Sequence, residues 1–498
     1  MGQLDFLQPS RPVIPATPRG VISGRLVVVS NRVPVPTASG TPAAGGLAVA
    51  LDAALKARGG LWFGWSGKTN DMPESATSLR TYGPVSYAVA DLSRRDLEEF
   101  YHGFANRALW PICHYRLDLA EYSAQHTAGF FRVNGSFARR LAKLLDERDA
   151  IWVHDYHLIP LARALRDMGF SNRLGFFLHV PWPPADVASG LPAYEELLRS
   201  FAAYDLIGFQ TELDAENFVD CIVKSGSGRA LGDGWCEAFG RRFRIGAFPI
   251  SIDTSAFAEE ARLAEHNTVV KRTRANLDGK SLIIGVDRLD YTKGISERIS
   301  SFGAFLERHP DMKKRTVLLQ ITPKSRSEVP AYAQLQRMVA EQVGNTNGKY
   351  GDLDWTPVQY MNKTMSRTAL AGLYRMARVG LVTPLRDGMN LVAKEYVAAQ
   401  APQDPGVLIL SRFAGAAQEL DAALIVNPYD KQGVATAIAR GLNMPLEERK
   451  ERWRAMMDVL ERNNVEDWSK NFLDILLEDQ PQPVNGRAMP PLWTTLDG

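Results

Sequence analysis

The sequence predicts an α/β fold of doubly wound parallel sheets, arranged as two domains that face a cleft, and three observations carry that expectation. Short apolar, β-rich runs recur along the chain; longer amphipathic stretches separate them; and 498 residues exceed what one hydrophobic core accommodates. Two domains imply a gap between them in which ligands can bind.

The runs lie at 26–29, 151–153, 174–178, 206–209, 243–248, 282–286, 317–321, 379–382, 407–410 and 424–426. Continuous apolarity, rather than alternation, is what a strand buried on both faces needs. Amphipathic segments such as 137–145, 296–306 and 391–400 supply the crossover helices that parallel strands require. The first five or so strands end near Pro249 and Ile250, and a charged helical segment over roughly 256–276 precedes the next strand, which puts the junction between an N-terminal domain over 25–255 and a C-terminal domain over 256–478. After Asn427 only helical patterns follow, with Trp453, Met456, Met457, Leu460, Trp468, Phe472 and Leu476 on apolar faces. These helices either cover the second domain or cross back to bridge both. Residues 1–24 and 479–498 are proline-rich and aperiodic, and read as an extended or mobile arm and tail.

Composition removes several classes of function. Apolar residues make up 45% and charged residues 23%, as in ordinary globular proteins. Against 58 basic residues stand 56 acidic ones, so a net charge of +2 provides no field for nucleic acid or an acidic membrane. The 3 cysteines, Cys113, Cys221 and Cys236, form no CxxC pair and fit a reducing compartment. The N-terminal arm lacks the apolar core of a signal peptide, and no window approaches a membrane span, so the expected location is the cytoplasm.

In an open parallel sheet, ligands bind beyond the carboxyl ends of the strands. Those positions here are polar: Ser30-Asn31-Arg32, His154-Asp155, His179, Gln210, Asp287-Arg288, 322–326 and Arg386-Asp387. The segment from Thr383 through Asp387-Gly388-Met389-Asn390-Leu391-Val392 to Glu395 leaves a strand and opens a helix, whose free N–H groups attract phosphate. Arg288 and Lys293, on another strand-to-helix loop, can neutralise a diphosphate without a metal. Gly45-Gly46-Leu47, after the Arg32 strand, leaves backbone room for a second ligand, although a glycine pair alone is a weak signal.

Seven ordered motifs resemble those of the trehalose-6-phosphate synthases, retaining glycosyltransferases of the two-Rossmann GT-B architecture: Ser30-Asn31-Arg32, Gly45-Gly46-Leu47, Leu61-Trp62-Phe63-Gly64-Trp65, His154-Asp155-Tyr156-His157, Phe177-Leu178-His179, Arg288-Leu289-Asp290-Tyr291-Thr292-Lys293-Gly294 and Asp387-Gly388-Met389-Asn390-Leu391-Val392. The resemblance runs from about Leu26 to about Asp474. It implies transfer of glucose from UDP-, ADP- or GDP-glucose to glucose 6-phosphate, with no cofactor and no metal. It puts the donor diphosphate on Arg288, Lys293 and the backbone of Leu391 and Val392 within the Gly388, Met389 and Asn390 loop, Glu395 on the ribose, Asp387 and His179 on the transferring glucose, and Gly46 over the donor side. It puts the acceptor 6-phosphate on Arg32 and Arg326, with Trp65, Tyr101, Trp110 and Asp155 around its ring. It also implies self-association as a dimer or tetramer. No phosphatase-like aspartate motif follows, so the product is expected to stay phosphorylated.

Plainer readings compete at several positions. Asp352-Leu353-Asp354 resembles a metal-binding pair but ends no strand, and Gly67-Lys68-Thr69 lacks the glycine that a phosphate loop needs at Trp62. His154, Asp155, His157 and His179 include residue types that ligate metals, yet strand-end histidines also serve as hydrogen-bonding groups. His157 reads as structural, Trp62 as core, and Glu395 as a potential partner of Lys394 as much as of a ribose. At the level of function, a glucan synthase of the same architecture and a catalytically silent sugar-phosphate sensor are the alternatives; Arg32 and Arg326 speak against the first, Asp387, Arg288 and Lys293 against the second.

Overall fold

Runs of Val, Ile and Leu that cannot be left in water set the frame of the molecule, which a computed structural model describes over residues 24–36, 46–72, 77–323 and 330–478. The first sheet contains β1 (Leu26–Arg32), β2 (Gly60–Thr69), β3 (Ser78–Tyr82), β4 (Val85–Leu92), β5 (Ala150–His154), β6 (Arg173–Phe177), β7 (Leu206–Phe209), β8 (Gly228–Gly232), β9 (Trp235–Ala238) and β10 (Arg241–Ala247), in the order β3-β4-β2-β1-β5-β6-β7-β10-β9-β8. Its central strands are parallel, Val28 of β1 lying opposite Trp62 of β2 and Trp152 of β5, while β3, β8 and β9 attach antiparallel at the two edges. The second sheet contains β11 (Ser281–Val286), β12 (Thr316–Ile321), β13 (Val358–Met361), β14 (Val379–Val382), β15 (Val407–Ser411) and β16 (Leu424–Val426), ordered β13-β12-β11-β14-β15-β16 and parallel throughout.

All ten predicted runs are strands. Others escaped the sequence reading. The strand β2 is built from Gly60, Gly64 and three bulky aromatics rather than β-branched residues; a Cβ on Gly64 would come within 2.0 Å of the Ser30 carbonyl oxygen, so glycine is what lets it lie against β1. The single helix expected over 256–276 is two, Thr254–Leu263 and Thr268–Leu277, because the Asn267 side chain accepts from the Val269 N–H and starts a new helix.

In each sheet the strand order reverses beside the first strand, between β1 and β5 in one and between β11 and β14 in the other. Such switch points open crevices at the carboxyl ends of the strands. The two crevices meet because the end of the chain returns to the first sheet. Helix Val465–Leu477 drops Phe472 onto the bare backbone of Gly175 and Gly208 and against Trp152, at a ring separation of 4.7 Å and an angle of 14°. The Val465 N–H bonds the Ile252 carbonyl and the Thr254 hydroxyl bonds the Leu460 carbonyl, at 3.2 and 3.0 Å, so the crossing from one sheet to the other is pinned by the returning helices. The arm and tail read from the sequence lie, apart from Gly24, outside the described residues.

Candidate active site

On the first sheet's side, Arg32 ends β1 opposite Trp65, and its guanidinium lies over Gly67, where any Cβ would come within 2.8 Å of it. The Trp65 indole donates to the Lys68 carbonyl at 2.7 Å and its ring stands 5.8 Å from that of Tyr101. Tyr101 belongs to a π-helical stretch, Leu97–Leu109, and stacks on His157 at 5.6 Å and 13°. Wider helical turns of this kind recur at functional sites. His157 Nδ1 lies 3.9 Å from Asp155 Oδ2, and so serves the shape of the site from below.

Asp155 follows β5 with φ 77° and ψ 160°, backbone angles nearly reserved for glycine. Its own N–H bonds the Phe177 carbonyl at 2.8 Å, and its carboxylate accepts from the His179 N–H at 3.4 Å. The strain holds the carboxylate at the crevice floor, against the start of the His179 loop. Trp110, just after the π-helical stretch, lies with its ring 5.8 Å from the Arg288 guanidinium carbon, so an N-terminal aromatic meets a C-terminal cation.

On the second sheet's side, Lys293 is buried at the end of a short helical turn and its Nζ lies 2.5 Å from Asp387 Oδ2, which also accepts from Asn390 Nδ2 at 3.0 Å. Burial alone would push the Asp387 carboxyl up; the Lys293 charge and these hydrogen bonds outweigh it and hold the group below the usual carboxylate range. Asn390, in the left-handed region at φ 87°, caps helix Leu391–Ala399 through the Ala393 N–H. That cap leaves the N–H groups of Leu391 and Val392 with no partner inside the helix. The half-buried Glu395, one turn further on, is raised by burial and by neighbouring Glu260 to about 7, against the opposing pull of Arg367. Lys394 does not pair with Glu395: it is buried against Glu419 and the Ile250 carbonyl, at 2.6 and 2.8 Å.

The halves touch at a glycine. A Cβ on Gly388 would come within 2.3 Å of the His179 carbonyl oxygen, and one on Gly415 within 1.9 Å of the Gly388 carbonyl oxygen, so the Asp387 loop is clamped between the His179 loop and the Gly415–Gln418 turn. His179 and His154 are both held neutral, His179 down to about 3 by burial. Met389 is buried behind this loop, and Gly46 opens helix Gly46–Arg58. Arg326 lies outside the described residues.

Sequence reasoning missed three features. Arg298, wholly buried, donates to Thr383, Gln320 and the Lys293 carbonyl at 3.1, 3.0 and 3.3 Å and lies 2.7 Å from Asp287. Its only signal was an arginine on the apolar stripe formed by Ile295, Ile299, Phe302 and Leu306. His114, lowered to about 4 by burial, sits within electrostatic reach of Asp290, Lys293 and Asp387. Tyr115 places its ring 3.7 Å from the Arg386 guanidinium carbon, a further contact between the halves. The Asp352 and Asp354 carboxylates pair with Lys314 on the surface, at 2.6 and 2.9 Å. Among the described residues no group of three or more His, Cys, Asp or Glu side chains converges to hold a metal, and no helix is long and apolar enough to cross a membrane.

The site therefore brings cationic side chains and a helix N-terminus from two sheets to one line of contact. The model of glycosyltransferase family 20 matches residues 24–478. A trehalose-6-phosphate synthase of Sinorhizobium fredii is 58% identical over 455 residues, which cover 91% of this chain and 98% of that protein. The crystal structure of an α,α-trehalose-phosphate synthase (UDP-forming) from Burkholderia xenovorans in complex with glucose-6-phosphate superposes with a TM-score of 0.88 at 48% identity, covering 91% of this chain and all 100% of that one. The Escherichia coli protein bound with UDP-2-fluoro glucose superposes with a TM-score of 0.87 at 44% identity over 92% of this chain and 100% of that one. The two parallel-sheet halves are thus those of the GT-B architecture, and the chain belongs to glycosyltransferase family 20.

Proposed function

We propose that the chain is a retaining glucosyltransferase that moves glucose from a nucleoside diphosphate glucose to glucose 6-phosphate, giving α,α-trehalose 6-phosphate and the nucleoside diphosphate. The observation that carries this reading is the meeting of the two crevices at Gly388 and His179, with Arg32 on one side and Arg288, Lys293 and the Leu391–Ala399 helix N-terminus on the other. The relatives support it: one was crystallised in complex with glucose-6-phosphate, another bound with UDP-2-fluoro glucose. Their UDP-forming members make UDP-glucose the first donor to try, ahead of ADP- and GDP-glucose.

In this reading the leaving diphosphate is met by Arg288, Lys293 and the N–H groups of Leu391 and Val392. Positive charge fixed in advance at the point where negative charge develops is what lowers such a barrier. Glu395 receives the ribose, Asp387 and His179 the transferring glucose, and Gly46 closes the donor side. The acceptor phosphate lies on Arg32 and Arg326, with Trp65, Tyr101, Trp110 and Asp155 around the ring. With its Oδ2 engaged by Lys293 and Asn390, Asp387 is assigned here to holding the glucose and not to attacking it. Retention then follows from delivering the acceptor hydroxyl on the face that the diphosphate leaves, a matter of positioning. The unpaired, buried cysteines Cys113, Cys221 and Cys236 suit a cytoplasmic enzyme. Light scattering of the purified chain measures the self-association.

Purified protein incubated with each nucleotide-glucose and glucose 6-phosphate is expected to release nucleoside diphosphate in EDTA as well as in buffer. Silence with every donor, or equal release with a neutral glucan in place of glucose 6-phosphate, overturns the reading.

A further inference from the structure

Gln210 follows β7, is buried, and has its amide read from both ends. The Ile250 N–H donates to its Oε1 at 3.0 Å, which leaves the Nε2 end facing His179 Nδ1 at 3.3 Å. Turning the amide over would set the Ile250 N–H against an N–H₂ group, donor against donor. The orientation of Gln210 is therefore decided by the backbone at the crossing between the two sheets. The same residue is held from the other half, where Lys394 Nζ donates to the Ile250 carbonyl at 2.8 Å.

A neutral imidazole carries one N–H. Since Gln210 donates to His179 Nδ1, that nitrogen must accept, and the proton of His179 sits on Nε2. There it faces His154 Nδ1 at 3.1 Å, which must in turn accept, so His154 carries its proton on Nε2. The chain Lys394, Ile250, Gln210, His179, His154 then runs in one direction, every link donor to acceptor.

We infer that Gln210 is a positioning residue that locks His179 as the Nε2–H tautomer, with its N–H committed to His154 and its Nδ1 lone pair to Gln210, so that the ring offers a sugar hydroxyl neither a proton nor a free lone pair and serves by holding the His179 loop in place. The assignment of the tautomer stands on this geometry alone; the consequence for the sugar rests on the reading of His179 as a donor-glucose contact. His179 is then no general acid. Its ring orientation is set from Ile250 at the crossing between the sheets, and the helix that bears Glu395 holds Ile250 through Lys394.

The experiment is nitrogen NMR of full-length enzyme labelled at its 8 histidines with ¹⁵N, using long-range ring correlations, with His179→Gln to identify the signal. The wild-type ring is expected to show a protonated Nε2 and an unprotonated Nδ1 with no donor added, and to keep that pattern when UDP is bound. In Gln210→Glu, whose carboxylate accepts from both Ile250 and the ring, the proton is expected to move to Nδ1 and kcat with UDP-glucose to fall at least tenfold with KM for glucose 6-phosphate within threefold. A wild-type ring protonated on Nδ1 overturns the inference whether or not the variant folds, as does a folded Gln210→Glu enzyme whose His179 keeps the wild-type pattern. An unperturbed tautomer assignment in a protein without glucosyltransferase activity would instead overturn the proposed reaction and leave the role of Gln210 standing.

Discussion

Gly388→Ala tests the contact on which the site depends. The new Cβ would sit 2.3 Å from the His179 carbonyl oxygen and 3.1 Å from the carbonyl carbons of His179 and Val180, short of the 3.0 Å minimum by about 0.7 Å at the first. The atom it strikes is backbone, which cannot swing aside as a side chain does. Nor can the Asp387 loop retreat, because Gly415 already packs against the Gly388 carbonyl from behind. The two crevices must therefore part by somewhat under 1 Å. Misplacement on the order of 1 Å costs roughly 10²-fold in rate, equal to about 2.7 kcal/mol of barrier. Gly388 has no left-handed φ, so the loss comes from crowding and not from backbone strain. The assay is steady-state release of nucleoside diphosphate, with urea unfolding run in parallel to establish that the variant is folded. A folded Gly388→Ala enzyme with kcat/KM within threefold of wild type would show that the halves need not touch at this point, and the geometric argument would fail.

Arg298→Met strands the buried Asp287 carboxylate and is expected to lower stability by about 3–5 kcal/mol, the cost of breaking a buried ion pair from one side, measured by urea unfolding; a loss below 1 kcal/mol would show that Asp287 finds another partner. Glu395 should give stability a pH slope: its carboxyl lies at about 7 in the folded chain against an ordinary 4.5, so the folded state holds the extra proton between those values and stability falls as pH rises through that window. Glu395→Gln should flatten that part of the profile of Tm against pH, and an unchanged slope refutes the assignment. Arg32→Ala should weaken the acceptor step by about 1.5–3 kcal/mol, seen as a higher KM for glucose 6-phosphate, and unchanged kinetics would remove Arg32 from the site. Phe472→Ala should cost about 3–5 kcal/mol because Phe472 fills the space over Gly175 and Gly208; denaturant titration detecting no change would mean that the last helix is not anchored there.

How much could be read in advance followed from what each feature depends on. The runs at 282–286 and 407–410 announce themselves because a strand buried on both faces must be apolar throughout. The polar residues after them, Arg288 and Asp387 among them, stood out for the same reason, as the first residues free of that demand. The strand β2 was opaque because its glycines exist to admit β1, a partner that the local pattern does not display. The π-helical stretch Leu97–Leu109 carries an ordinary amphipathic pattern, in which the wider pitch leaves no mark.

Taken alone, the sequence determined the parallel α/β architecture, the polar strand ends and the family motifs, since burial and local backbone chemistry act residue by residue. Only the tertiary structure decided that Lys293 rests on Asp387, that Lys394 serves Ile250 and Glu419 instead of Glu395, and that Gln210 reaches His179. Each of these pairs residues far apart in the chain. Lys293 meets Asp387, and Gln210 meets His179, because strand order within one sheet brings their loops side by side, while Lys394 meets Ile250 only where the two sheets come to rest; no local pattern encodes either.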